Sequence, residues 1–125
     1  MKLNPYLLFD GKCEEAFNSY QKILGGEIVA MIPHEGTPVE ESVPPVSNGM
    51  VLMGSDAPPD RFEPMKGFSV TLNIAEPAEA ERVFDALADK GTVRLALTET
   101  FWAKKFGMLV DKFGTPWMIN CEKAQ

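Results

Sequence analysis

The sequence predicts an α+β fold of two βαβββ modules in a single domain, residues 1–125, the first module (about 1–56) short of one strand and the second (about 66–125) complete. Three features predict it. CEEAFNSYQKIL and PAEAERVFDALA both carry apolar residues at intervals of three and four, the mark of a helix with one buried face. A short apolar run of strand length stands on either side of each, so the order strand, helix, strand occurs twice. Setting EEAFNSYQKI on AEAERVFDAL keeps both stripes in phase, which makes the halves an internal repeat with a period of about sixty-four residues.

Taken in chain order, Asn4 to Phe9 reads as a buried strand, and Cys13, Ala16, Phe17, Tyr20, Ile23 and Leu24 form the stripe of the first helix. Gly25–Gly26 ends that helix, and EIVAMI is a strand halted by Pro33. The next segment, PHEGTPVEESVPPVSNG, holds four prolines and several carboxylates, which exclude a central strand, so only MVLMGS completes the first module. In the second half FSVTLNI is a strand, and Pro77 stands in the first turn of a helix, where its missing N–H costs nothing. Ala80, Val83, Phe84, Leu87 and Ala88 line that helix, Gly91 stops it, and TVRLAL follows as strand. KFGMLVD and TPWMINCE then form a hairpin with Gly114 in its turn.

Composition narrows the function. With 125 residues, 45% hydrophobic and 24% charged, the chain has the make-up of one globular domain with its own core. A net charge of -6, with Lys104–Lys105 the one basic doublet, excludes a nucleic-acid partner, whose phosphates demand clustered cations. The apolar runs are too short to span a bilayer, and MKLNPYLLFDG lacks the apolar core and cleavage site of a secretory leader, so a cytoplasmic protein without membrane partner is expected. Cys13 and Cys121 are isolated from one another and read as reduced structural thiols.

Three stretches carry a family resemblance: PYLLFDGKCEEAFNSYQKILGGEI, VLMGSD and ETFWAKKFGMLVDKFGTPWMIN. With the paired modules, they resemble the vicinal oxygen chelate superfamily, which includes glyoxalase I, extradiol dioxygenases and bleomycin-resistance proteins. Within it they look like the PhnB-like branch, whose members are often labelled 3-demethylubiquinone 3-methyltransferase-like. The resemblance implies a ligand cup and a homodimer. It also implies a further strand between the proline-rich loop and VLMGSD, where this sequence has VSNG; a lost strand and a missing stretch of chain both remain open.

The superfamily's usual chemistry rests on a divalent metal held by His and Glu, with open positions for Lewis-acid activation of substrate. Carried over, the four ligand places fall near Pro5, Met53, Phe68 and Met118, none of which binds a hard cation, so neither metal nor cofactor is expected. His34, the lone histidine, lies in an acidic loop and reads as solvated. No glycine-rich strand-to-helix turn is present to cradle the nucleotide-like cofactor of a methyltransferase, because Gly25–Gly26 ends a helix instead of opening one.

Strand alternation places Pro116, Met118 and Asn120 on one face of PWMINC and Trp117, Ile119 and Cys121 on the other. If Met118 holds a former ligand place, its face lines the cup and Trp117 packs beneath a helix. Trp102, in a connection, is either a stacking surface over a pocket or part of a subunit interface. Glu99 is a solvated charge or the one acid directed into an apolar cup, placed there to exchange a proton. Asp111 braces the KFG turn, and Met31, Met50, Met53, Met108 and Met118 are adaptable lining or core filler. The expected ligand-binding set is Met53, Phe68, Glu99, Trp102, Met118 and Asn120, with no catalytic residue assigned, for metal-free binding of a small apolar or aromatic molecule. The alternatives are a metal-dependent lyase, isomerase or dioxygenase recruiting His34, Glu27 or Asp56, and a dimeric interaction module in which Trp102 serves assembly.

Overall fold

The computed structural model describes residues 4–25, 27–32, 39–43 and 52–122. They belong to two units, Met1–Pro64 and Met65–Gln125, each built as βαβββ. In unit 1 the order is β1 (Tyr6–Phe9), α1 (Cys13–Leu24), β2 (Glu27–Ile32), β3 (Val39–Val43) and β4 (Leu52–Asp56). Its sheet runs β1-β4-β3-β2, with β1 parallel to β4 and the other pairs antiparallel.

Alternation decides the packing of unit 1. Leu7 and Phe9 of β1 are buried while Tyr6 and Leu8 are exposed, and the stripe Cys13, Ala16, Phe17 and Tyr20 of α1 is buried in turn. Phe17 meets Phe9 edge-on, ring centroids 6.1 Å apart. A Cβ on Gly54 would come within 3.0 Å of the Phe17 ring and of the Leu7 carbonyl, so glycine at this place in β4 is what lets the ring lie so close to the sheet. Lys12 at the N-cap of α1 offers no capping side chain. Asp56 supplies that function from β4: its Oδ1 accepts the Cys13 N–H at 3.0 Å, satisfying one of the unpaired amides of the helix start.

The third strand of this module corrects the expectation of a missing one. VEESV lies inside the proline-rich segment, yet Pro38 and Pro44 flank it instead of falling within it, so no ladder N–H is lost. β3 therefore takes its place between β2 and β4, and the first module has its full set of strands.

Unit 2 repeats the design with β5 (Val70–Asn73), α2 (Pro77–Ala88), β6 (Thr92–Thr98), β7 (Ala103–Val110) and β8 (Pro116–Glu122), in the sheet order β5-β8-β7-β6. The buried stripe Ala80, Val83, Phe84 and Leu87 lays α2 across β6, β7 and β8. Leu72, Leu109, Trp117 and Ile119 are buried on the sheet. Here too a glycine admits the aromatic ring: a Cβ on Gly107 would stand 2.7 Å from Phe84 Cε2.

The β7–β8 hairpin turns on one buried carboxylate. Asp111 Oδ1 accepts the backbone N–H groups of Phe113 at 2.9 Å and Thr115 at 3.0 Å, and Oδ2 accepts the indole N–H of Trp117 at 2.8 Å. Gly114, at φ 91°, supplies the left-handed residue of the turn. Asp111 thus ties the turn to the largest side chain of the core, and Trp117 lies on the buried face as alternation requires.

Two substitutions test this packing. Gly107→Ala forces Phe84 and the backbone near Leu95 aside, and urea unfolding is expected to show a loss of about 1–3 kcal/mol. Asp111→Asn keeps one acceptor for three donors and turns an N–H toward the Trp117 indole or the turn amides; a loss of about 1–3 kcal/mol is expected, with the folded circular dichroism spectrum retained.

Candidate functional site

With α2 on one face of the β5-β8-β7-β6 sheet, every second side chain of its strands is directed to the other face. The register arranges them in two rows. Asn73 on β5 stands opposite Asn120 on β8, Asn120 opposite Phe106 on β7, and Phe106 opposite Thr98 on β6. Two residues along β5, β8 and β7, and three along β6, where the register shifts, Thr71 stands opposite Met118, Met118 opposite Met108, and Met108 opposite Leu95. Directly opposed residues share a face, so each row runs as a strip across the sheet.

Hydrogen bonds organise the β5–β8 end of both rows. Asn120 Nδ2 donates to Asn73 Oδ1 at 2.9 Å, and the Thr71 hydroxyl directs its proton toward the Met118 thioether at 3.6 Å, a weak acceptor. Asn120 Oδ1 is shut off from solvent and accepts no hydrogen bond. Aromatic rings extend the first row: Trp102 packs edge-on against Phe106 at 5.5 Å, and Phe101 against Trp102 at 4.8 Å. Thr100 holds this corner, its Oγ1 accepting the N–H of Trp102 at 3.3 Å and of Ala103 at 3.0 Å. Trp102 keeps 49% of its surface exposed and Phe101 keeps 88%.

Residues 1–120 match the family described as 3-demethylubiquinone-9 3-methyltransferase. The chain belongs to that family. It is the PhnB-like branch that the sequence resembles. Protein YjdN of Escherichia coli K12 is 37% identical, the match covering 100% of this chain and 98% of YjdN. That match extends over 144 positions against 125 residues here, so YjdN carries residues with no counterpart in this chain. The crystal structure of PA1353 from Pseudomonas aeruginosa is 41% identical, covers 99% of each chain and superposes with a TM-score of 0.89. A glyoxylase/bleomycin resistance protein/dioxygenase domain from Frankia is only 10% identical but covers 96% of this chain and 95% of its own, with a TM-score of 0.76, and so shares the fold.

The metal centre implied by that superfamily does not fit the side chains of this family member. At the ligand places expected at Met53 and Met118, the first and last strands set Tyr6 opposite Met53 in unit 1 and Thr71 opposite Met118 in unit 2: a phenol, a hydroxyl and two thioethers where imidazoles and carboxylates are needed. Among the described residues, no group of three or more His, Cys, Asp and Glu could hold a metal ion. Asp56, an alternative ligand, is engaged with the start of α1. His34 and the side chain of Glu27 lie outside the described residues, as do the side chains of Met31 and Met50. Glu79, whose pKa is lowered by its hydrogen bond from Arg82, lies on α2 and so on the opposite side of the sheet.

Of the expected site residues, Met118 and Asn120 share the face described above, and Trp102 reaches it through Phe106. Phe68 precedes β5 with 47% of its surface exposed, and the residue opposite Met118 is Thr71. Glu99 is exposed in the β6–β7 connection. Met53 belongs to unit 1, where it holds the place that Met118 holds in unit 2. Sequence reasoning missed Thr71, Asn73 and Phe106. A signal for the first two was present: Ser69, Thr71 and Asn73 alternate with Phe68, Val70, Leu72 and Ile74, a polar stripe along the predicted strand FSVTLNI.

The unequal placement of the two tryptophans is open to a direct check. Trp102→Phe leaves the enclosed Trp117, so its emission is expected to shift to the blue and to resist acrylamide, whereas the wild-type protein shows an additional quenchable component. Equal quenching in both would contradict the exposure of Trp102.

Proposed function

We propose that the protein binds a small, largely apolar or aromatic molecule on the α2-distal sheet face of unit 2, without a metal. The observation that carries this reading is the pair of rows, in which thioether, phenyl and amide groups adjoin the Trp102 ring and no imidazole, thiol or carboxylate is present. Such a surface has the usual make-up of a ligand site: apolar area for affinity and a few fixed polar groups for orientation. Methionine side chains add adaptability of shape. Phe68 and Glu99 flank the site in the chain, and Met53 presents the corresponding thioether on unit 1.

The probe 8-anilinonaphthalene-1-sulfonate tests the reading. Its fluorescence is expected to rise on binding to the wild type, and Met118→Lys to weaken that binding about tenfold or more, as a buried ammonium costs more than the 1.4 kcal/mol this represents. Exhaustive dialysis against EDTA is expected to leave the affinity unchanged. A loss on chelation that Mn²⁺ or Zn²⁺ restores sinks the metal-free part.

The exposure of Phe101 favours a second role for the same corner, a contact between two copies of the chain in a cytoplasmic homodimer, since a nearly bare phenylalanine beside a half-bare tryptophan is costly in water. Phe101→Ser is then expected to shift the sedimentation velocity peak from dimer to monomer while the naphthalene probe still binds.

A further inference from the structure

On the strength of that reading, we infer that the molecule bound at this face is an aromatic or heteroaromatic compound carrying an N–H or O–H donor, which the side-chain carbonyl of Asn120 accepts. The starting point is an imbalance in the amide pair. Asn120 donates through Nδ2 to Asn73 Oδ1, which leaves its Oδ1 to accept from another group. Its Oδ1 is left enclosed with no hydrogen bond, at a place in the sheet where the polar partner on one side is already used and the neighbour on the other is the phenyl ring of Phe106.

A buried carbonyl without a donor is a standing cost that a fold normally avoids, and it is removed by any occupant that brings the donor. The terminal torsion of asparagine is soft, so a small rotation presents the oxygen to an incoming group. Around it the chemistry is aromatic. Phe106 lies directly across the strand pair, with Trp102 packed on it at 5.5 Å. A flat ring laid along Phe106 therefore brings a donor on its edge to Asn120, while Met118 and Met108 in the neighbouring row receive its apolar side. Asn73 acts as a positioning residue, because it holds the Asn120 amide with its carbonyl outward from the pair.

Indole and benzothiophene form the discriminating pair of probes: nearly the same ring shape, one with an N–H and one without. Titration of the full chain is expected to give indole an advantage of about tenfold or more, the usual penalty when a site's polar group is left unpaired. Asn120→Leu should erase the advantage by weakening indole alone, and Asn120→Asp, which keeps an acceptor and lets Asn73 turn its own amide to donate, should preserve it. Equal affinities for the two probes in the wild type, or an indole preference that survives in Asn120→Leu, overturns the assignment of Asn120 but leaves the apolar binding face standing. If neither probe binds the wild type, the binding face falls, and the assignment with it. Should Asn120→Leu fail to fold, a loss of the preference in Asn120→Asp overturns the inference by itself.

Discussion

Packing α2 against one face of the β5-β8-β7-β6 sheet decides which residues line the other. Strand side chains alternate, so once Leu72, Leu109, Trp117 and Ile119 are committed to the buried side, Thr71, Asn73, Met108, Met118 and Asn120 have no choice of face. A slip of one residue in β8 would put Trp117 outward and Met118 beneath the helix. Asp111 guards against that slip: one oxygen closes the turn and the other holds the Trp117 indole, so turn geometry and strand phase are set by the same carboxylate.

What the sequence reveals and what it hides follow from the range of the forces involved. Both helices are legible because a stripe at intervals of three and four is local and unambiguous, and the buried residues Cys13, Ala16, Phe17 and Tyr20 are the first four of the six that form the stripe of the first. The Asp111 brace is legible because a carboxylate ahead of Lys-Phe-Gly has backbone donors within reach whatever the rest of the chain does. β3 is hidden because the density of prolines around VEESV outweighs a five-residue strand whose support comes from β2 and β4, far off in sequence. The Asn73–Asn120 pair is hidden for the same reason. It depends on the parallel pairing of β5 with β8, forty-seven residues apart, and no local pattern gives that register. Placing Met118 on its face needs only alternation; finding that Thr71 stands opposite, and not Phe68, needs the pairing.

The repeat separates what the fold demands from what it merely permits. Tyr6 opposite Met53 in unit 1 corresponds to Thr71 opposite Met118 in unit 2, and two residues further Leu8 opposite Ser55 corresponds to Asn73 opposite Asn120. The methionine is common to both modules. The amide pair is not: where unit 2 has two asparagines, the same backbone in unit 1 carries a leucine and a serine.

That difference bears on why Asn120 is there. A βαβββ sheet of this kind forms without an amide pair on its first and last strands, as unit 1 does, so strand pairing cannot be the reason for one in unit 2. Core stability is no better a reason, because an enclosed carbonyl with no donor lowers stability and an apolar side chain of similar volume would remove the cost. The hydrogen bond to Asn73 offsets part of that cost and gives the amide a direction. Asp111 differs in this respect: its carboxylate oxygens serve the turn amides and the core tryptophan, so the fold itself explains its presence.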